Sequence, residues 1–209
     1  MDILFARHGN TFNPGDKVVW VGRETDLPLV DKGLAQARAA ADALERTGLI
    51  PDVIVTASLA RTRRFAEIVA DALKLAPPKV DVRLDELDYG RWAGRTNDEI
   101  AAEGPAAVDA MAAWSRHDQW PSDAGWRSQE AAVLADVAQF AADVLADGGH
   151  ARPLIVSSNG ILRFLPRALL PRQSLRDSFK MRTGHLGRIE RVGTQSVLRC
   201  WDVAPADFA

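Results

Sequence analysis

Cysteine is nearly absent: one residue, Cys200, in a chain of 209, which excludes an internal disulfide and a cysteine-based metal site. Long apolar runs are missing too. No stretch is long enough to span a bilayer, and the N-terminal run Ile3-Leu4-Phe5-Ala6 is too short for a signal peptide, so the expected compartment is the cytoplasm. Neither sign of charge is in excess. The 26 Lys+Arg against 28 Asp+Glu leave a formal net charge of −2, and the arginines are scattered instead of forming a basic stripe. Neither nucleic acid nor an acidic membrane is an expected partner. There is no internal repeat and no low-complexity linker. What is present, 47% hydrophobic content over 209 residues, suits one sizeable α/β domain or a domain with a small insertion.

Along the chain, short apolar runs alternate with helical stretches, the pattern of an α/β sandwich: a mostly parallel sheet covered on both faces, with right-handed crossovers. Ile3 to Ala6 reads as a buried strand running into a polar loop. Asp31 is expected to cap a helix with the stripe Leu34, Ala37, Ala41 and Leu44, stopped by Gly48 and Pro51. Asp52 to Thr56 is a second strand, and Ser58 opens a helix to Leu73. Val80 to Leu84 is a short third strand, followed by alanine-rich helices from about Asn97 to Ser115. Ser128 opens a long helix with Val133, Val137, Phe140 and Val144. Pro153 to Ser157 is a central strand and Ile161 to Leu170 a helix; Arg188 to Val192 and Ser196 to Val203 form an antiparallel pair around Gly193.

Three constellations fall at strand ends, where a parallel-sheet enzyme keeps its chemistry. The first is Arg7-His8-Gly9-Asn10-Thr11. A neutral imidazole can attack phosphorus through one ring nitrogen while the other is held by a hydrogen bond, and the adjacent guanidinium can grip phosphate oxygens with its planar fork. The second is Thr56 to Thr62, which puts Arg61 in the first turn of a helix near anion-attracting N–H groups; Arg63 and Arg64 read as solvated. The third, Leu84 to Gly94, carries Asp85, Glu86 and Asp88. Any of these carboxyl groups could protonate a leaving oxygen and later deprotonate water.

With the three segments in this order, the chain resembles the histidine phosphatase superfamily, which includes cofactor-dependent phosphoglycerate mutase and many broad phosphatases. Arg7, His8, Gly9 and Thr11 match its Arg-His-Gly-x-Thr. Asp26, Pro28, Leu29, Gly33, Gln36 and Ala37 match its next stretch, Ala57 to Arg61 loosely match a third, and Leu84, Glu86, Gly90, Trp92 and Gly94 match a fourth. The resemblance covers most of the chain. It implies a phosphoglycerate mutase-like three-layer α/β/α fold over residues 1–209, with a helical insertion at about 95–127 over the active-site mouth. By resemblance His8 is the nucleophile that becomes phosphohistidine, Arg7 and Arg61 clamp the phosphate, and Glu86 is the proton donor. A small phosphomonoester is the implied substrate, with no metal or organic cofactor.

Departures from the pattern matter as much. After the strand ending at Ser157 the family has Ser-His-Gly-Gly and then an arginine, whereas this chain reads Ser157-Ser158-Asn159-Gly160-Ile161-Leu162-Arg163. Ser158 stands where the second phosphate-binding histidine belongs and Asn159 where glycine does. A cationic donor is lost, although the Ser158 hydroxyl, the Asn159 amide or backbone N–H groups of the next helix can act as neutral donors. Thr11 and Asn13 complete the candidate phosphate contacts, but the asparagine normally three residues beyond the threonine is Pro14 here, and Asn13 comes one early. Among the other histidines, His117 and His150 fall in polar, exposed stretches, and His185, just before a late strand, is a candidate to approach the pocket. No Gly-x-Ser-x-Gly elbow surrounds Ser157 and Ser158, so a serine nucleophile is not expected.

Trp114, Trp120 and Trp126 make an aromatic segment with three readings: packing of a helical flap, a substrate mouth, or a surface through which a homodimer forms. The expected activity is phosphomonoester hydrolysis. The alternative from another class is a phospho-ligand sensor, weak or inactive in turnover because the second histidine is gone. A mutase would need a second anion site for its returning product, and nothing announces one beyond scattered arginines.

Overall fold

The computed structural model describes residues 1–146 and 152–209, so His150 lies outside the described residues. The chain forms a six-stranded sheet of β1 (Asp2–Arg7), β2 (Val53–Thr56), β3 (Lys79–Val80), β4 (Pro153–Ser157), β5 (Leu186–Val192) and β6 (Gln195–Val203), in the order β3-β2-β4-β1-β5-β6. The β3-β2, β2-β4 and β4-β1 pairs are parallel, whereas β5 runs antiparallel to β1 and to β6. The helices are α1 (Asp31–Arg46), α2 (Ala60–Leu73), α3 (Asn97–Ala101), α4 (Pro105–His117), α5 (Glu130–Ala146), α6 (Asn159–Leu162) and α7 (Leu165–Leu169).

Alternation along β1 explains the layers. Ile3 and Phe5 pack on one face of the sheet with Leu84, Trp92, Phe140 and Leu165, while Leu4 and Ala6 pack on the other with Ala37, Leu44, Phe65 and Val69 of α1 and α2. All four are fully buried, so the strand reads as an unbroken apolar run instead of an alternating one. β1 and β4 lie side by side in the middle, with Arg7 opposite Ser157. Their C-terminal ends, and therefore His8 and Ser158, open on the same edge.

Several local expectations are corrected. α1 begins at Asp31 with Val30 at the N-cap and no side-chain cap, so Asp31 acts only as a favourable charge in the first turn. Its end is as expected: Gly48 sits at φ 68° and the Leu49 N–H reaches back to Leu44 O at 3.0 Å. Ser58 does not cap α2; it donates from N and Oγ to the Asp85 carboxylate at 2.7 and 2.8 Å, and the Ala60 N–H is taken by Asp26 Oδ1 at 2.7 Å. The third strand is only Lys79–Val80, because Asp81 accepts from Arg83 N and tightens Val82–Leu84 into a 3₁₀ turn. Ser128 precedes α5, but its hydroxyl accepts from Asp88 N at 2.8 Å. The single helix expected over Ile161 to Leu170 is two short ones, α6 and α7, separated around Phe164, with Pro166 in the first turn of the second. Among the described residues, no helix is long and apolar enough to cross a membrane.

Candidate active site

His8 leaves β1 buried, with Nδ1 at 2.8 Å from the carbonyl oxygen of its neighbour Gly9. A carbonyl can only accept, so the proton sits on Nδ1 and the Nε2 lone pair is free. Burial above all, and then the charges of Arg7 and Arg61, push the pKa of His8 well below the ordinary histidine value. The ring is therefore a neutral imidazole with a free nitrogen. It stays so because the surroundings oppose a further positive charge.

The two arginines are anchored from behind. Arg7 Nη1 donates to Met181 O at 2.7 Å. Arg61, from the first turn of α2, donates to Thr25 O at 2.9 Å and to Gly22 O at 3.3 Å, and its side chain is almost fully buried. Each spends part of its fork on backbone oxygens and keeps the rest for the cavity it lines.

Of the three acids that compete by sequence, only Glu86 reaches the cavity. Asp85 is consumed by Ser58, and Asp88 Oδ1 accepts from Gly90 N at 2.8 Å. Glu86 is held by its chain neighbour and by the helix that follows β4: Oε1 accepts from Leu87 N at 2.9 Å and Oε2 from Gly160 N at 3.2 Å. The Tyr89 phenol lies beside it, and burial followed by the Glu86 charge keeps this phenol protonated. Gly160 is required by space: a Cβ there would run into the Glu86 carboxylate and sit 2.9 Å from the Tyr89 oxygen.

The end of β4 divides the remaining candidates. Ser157 Oγ donates to Leu84 O at 2.7 Å, and the Ser158 hydroxyl is buried, without a partner among the described residues and off the cavity wall, whereas Asn159 lines the cavity. Asn159 Oδ1 accepts from Met181 N at 2.9 Å, which fixes the amide orientation and turns its NH₂ away from that bond. Thr11 and Asn13 also line the cavity. His185 does not: its Nδ1 lies 3.0 Å from Asp202 O and 3.1 Å from Asp202 Oδ1. His117 is exposed at the end of α4.

His8, Arg7, Arg61, Glu86, Asn159, Thr11 and Asn13 thus surround one cavity of about 1050 Å³. Its outer wall comes from Phe12 and Val18 to Val21, and from Thr96 to Asp98, Met111, Trp114 and Arg116 around α3 and α4. The aromatic segment packs behind it. Trp114, Trp120 and Trp126 stack edge to face with each other at 5.0 to 6.3 Å, joined by Trp20, Tyr89 and Trp92. Packing and mouth are therefore not alternatives, because Trp20, Tyr89 and Trp114 show the cavity the edge of the same cluster.

The model of the histidine phosphatase superfamily, branch 1, matches residues 3–204. This chain belongs to that superfamily. Glucosyl-3-phosphoglycerate phosphatases are similar to this histidine phosphatase: 30% identical for one from Mycobacterium tuberculosis, over 80% of this chain and 74% of that one, and 29% for one from Mycolicibacterium vanbaalenii, over 80% and 73%. A crystallised mycobacterial glucosyl-3-phosphoglycerate phosphatase complexed with VO3 superposes with a TM-score of 0.78 at 25% identity, covering 97% of this chain and 98% of the other. The α-ribazole phosphatase of Shigella flexneri shares the fold, with a TM-score of 0.74 at 22% identity over 98% and 97%.

Membership makes sense of the Asp26 to Ala37 match in this histidine phosphatase. Gln36 takes Asn10 N at 2.8 Å and gives to Thr183 O at 2.9 Å, and Gly33 lies so close to Asn10 O that no side chain fits there. The stretch clamps the loop behind His8. Among the cavity residues that the sequence did not single out as site residues are Tyr89, Lys180 and Arg163. Arg163 is buried, stacked 4.5 Å over Trp114, bonded to Trp114 O at 2.8 Å and paired with buried Asp118. Its only signal was its place three residues after Gly160 in the β4 motif. Lys180 had none, because it lies in a connection between a turn and β5.

Proposed function

We propose that this histidine phosphatase hydrolyses a small phosphomonoester by two in-line displacements at His8. The observation that carries the reading is the neutral His8 ring, its Nδ1–H spent on Gly9 O, beside Arg7 and Arg61 and sharing their cavity with Glu86. In the first step Nε2 attacks phosphorus, a P–N bond forms, the ester P–O bond breaks, and Glu86 gives its proton to the leaving oxygen. In the second, Glu86 takes a proton from water, whose oxygen attacks phosphorus as the P–N bond breaks. Arg7 and Arg61 hold the phosphoryl oxygens throughout. Asn159 contributes a neutral N–H on the side where Ser158 replaces the family's histidine, and Thr11 and Asn13 lie on the approach.

The stretch at about 95–127 acts as an insertion that shapes the mouth and selects the leaving group. The enzyme works on a free small molecule in the cytoplasm. Glucosyl-3-phosphoglycerate, named in the relatives, heads the panel of substrates to be tried. A sensor without turnover would need neither a free Nε2 nor a carboxyl group fixed by two N–H donors, and both are kept.

The test is phosphate release from an aryl phosphate and a panel of cellular phosphomonoesters, with acid-labile phosphoenzyme trapped in parallel, for wild type and His8→Ala. Loss of both signals in the variant, by on the order of 10⁴-fold or more, is expected. Full turnover in His8→Ala sinks the mechanism, and tight phosphate binding without release from any compound favours the sensor.

A further inference from the structure

Six cationic side chains line the cavity, Arg7, Lys32, Arg61, Arg116, Arg163 and Lys180, against two carboxylates, Glu86 and Asp98, in a protein whose net charge is −2. Arg7 and Arg61 belong to the phosphate clamp, and Arg163 is paired with Asp118. Lys180 differs from these. Among the described residues its ammonium forms no ion pair; Nζ donates only to the Ser115 hydroxyl at 3.2 Å, itself on the cavity wall. The carboxylates whose charge favours the Lys180 ammonium are engaged elsewhere, Asp118 with Arg163 and Arg167, Asp202 with Arg182 and His185.

The backbone that presents Lys180 is fixed by the site itself. Next to it, Met181 gives its N–H to Asn159 Oδ1 at 2.9 Å and its carbonyl oxygen accepts from Arg7 at 2.7 Å. On the other side, Lys180 N donates to Ser178 Oγ at 3.1 Å, and that hydroxyl donates to Asp118 at 2.6 Å. Asn159, the residue that departs from the family's glycine, thus ties the end of β4 to the segment that carries Lys180. Ser158 meanwhile keeps its hydroxyl buried off the cavity.

Resting on the hydrolase reading above, we propose that Lys180 is a phosphate-binding residue whose ammonium supplies the charged contact that Ser158 does not. A neutral hydroxyl is a weak hold on an ammonium, and a phosphoryl dianion is a stronger partner. Lys180 is exposed, yet local desolvation and then the neighbouring charges of Arg163 and Arg7 hold its pKa below the usual lysine value, with Asp202 and Asp118 opposing. The same local field that disfavours the proton on Lys180 attracts an anion to its side.

The experiment is calorimetric binding of inorganic phosphate, with kcat/KM on an aryl phosphate, for full-length wild type, Lys180→Met and Lys180→Arg. Lys180→Met is expected to weaken phosphate binding about tenfold and to lower kcat/KM by on the order of a hundredfold. Lys180→Arg should recover most of both, with melting temperatures unchanged. The binding loss should persist at about 1 M salt, where the Debye length is about 3 Å and a distant field would be screened. Phosphate binding in Lys180→Met within error of wild type, an equal loss in Lys180→Arg, or a loss that disappears in high salt overturns the proposal. The parallel His8→Ala enzyme separates the two ideas. Full turnover there with phosphate affinity still dependent on Lys180 removes the mechanism and keeps this site, whereas a wild type that binds no phosphate removes both.

Discussion

The floor and the outer wall of the cavity are built on different terms. On the floor His8, Arg61 and Glu86 are 5%, 1% and 5% exposed, and each is held by backbone groups: Gly9 O for His8, Thr25 O and Gly22 O for Arg61, Leu87 N and Gly160 N for Glu86. The wall relies on side-chain packing of the aromatic cluster and runs out to Val18, which is 63% exposed. Backbone partners cannot be substituted away, so the floor holds its side chains in place whatever the neighbouring residues are, while the wall depends on which side chains pack in it. On the proposed mechanism, chemistry and selectivity would be separated by kind of support.

The sharpest break in that contrast comes from Glu86→Gln, which keeps the shape and the N–H partners of one oxygen but cannot cycle a proton. General acid–base groups contribute about 10²–10⁴-fold, and a loss in that range is expected for alkyl phosphates. It should be much smaller for an aryl phosphate with a good leaving group, since that oxygen departs without protonation. The comparison is made in kcat/KM, which reports the steps through departure of the leaving group and not the later attack of water, where Glu86 serves both substrates alike; equal losses there would mean that Glu86 positions the floor and does not act as the acid.

Next in size is the joint between the two regions. Asp118, in the left-handed conformation at the end of α4, collects Arg163, Arg167, the Ser178 hydroxyl and the Phe179 N–H with its side chain fully buried. Removing one partner of a buried ion pair leaves an uncompensated charge and costs about 3–5 kcal/mol. Asp118→Ala should lose stability in that range in urea unfolding, with substrate KM raised as the wall detaches from the floor. A change under about 1 kcal/mol, the scale of a surface pair, would show that packing alone joins them.

The floor was legible in the sequence where a short motif coincides with a strand end. His8, Arg61 and Glu86 each follow a strand or the short turn after one, so the motif and the topology point to the same edge. The wall was not. Whether Asp85, Glu86 or Asp88 faced inward depended on Ser58 and Gly90, which are remote or irregular partners. Helix caps were misplaced for the same reason: α2 is capped from Asp26, 34 residues away, and no local pattern carries that pairing. Lys180 was invisible because its placement depends on Asn159 and Arg7 meeting at Met181.

The smallest effect sharpens the floor's side of the comparison through pH. A histidine whose folded pKa lies well below its unfolded value contributes no pH dependence above about pH 6.5, where both states are neutral. As pH falls below that value the unfolded chain binds a proton that the folded floor refuses, because burial, Arg7 and Arg61 oppose it. Stability is therefore full above about pH 6.5 and declines on acidification, with a slope of at most about 1.4 kcal/mol per pH unit from this one group. His8→Asn places an amide nitrogen where Nδ1 sits and cannot titrate. Urea unfolding of both proteins between about pH 7 and pH 5, the span across the unfolded histidine pKa, should show a shallower acid decline in the variant. Parallel curves would mean that the His8 ring takes up its proton in the folded state, and the nucleophile would then be charged on the acid side instead of ready for phosphorus.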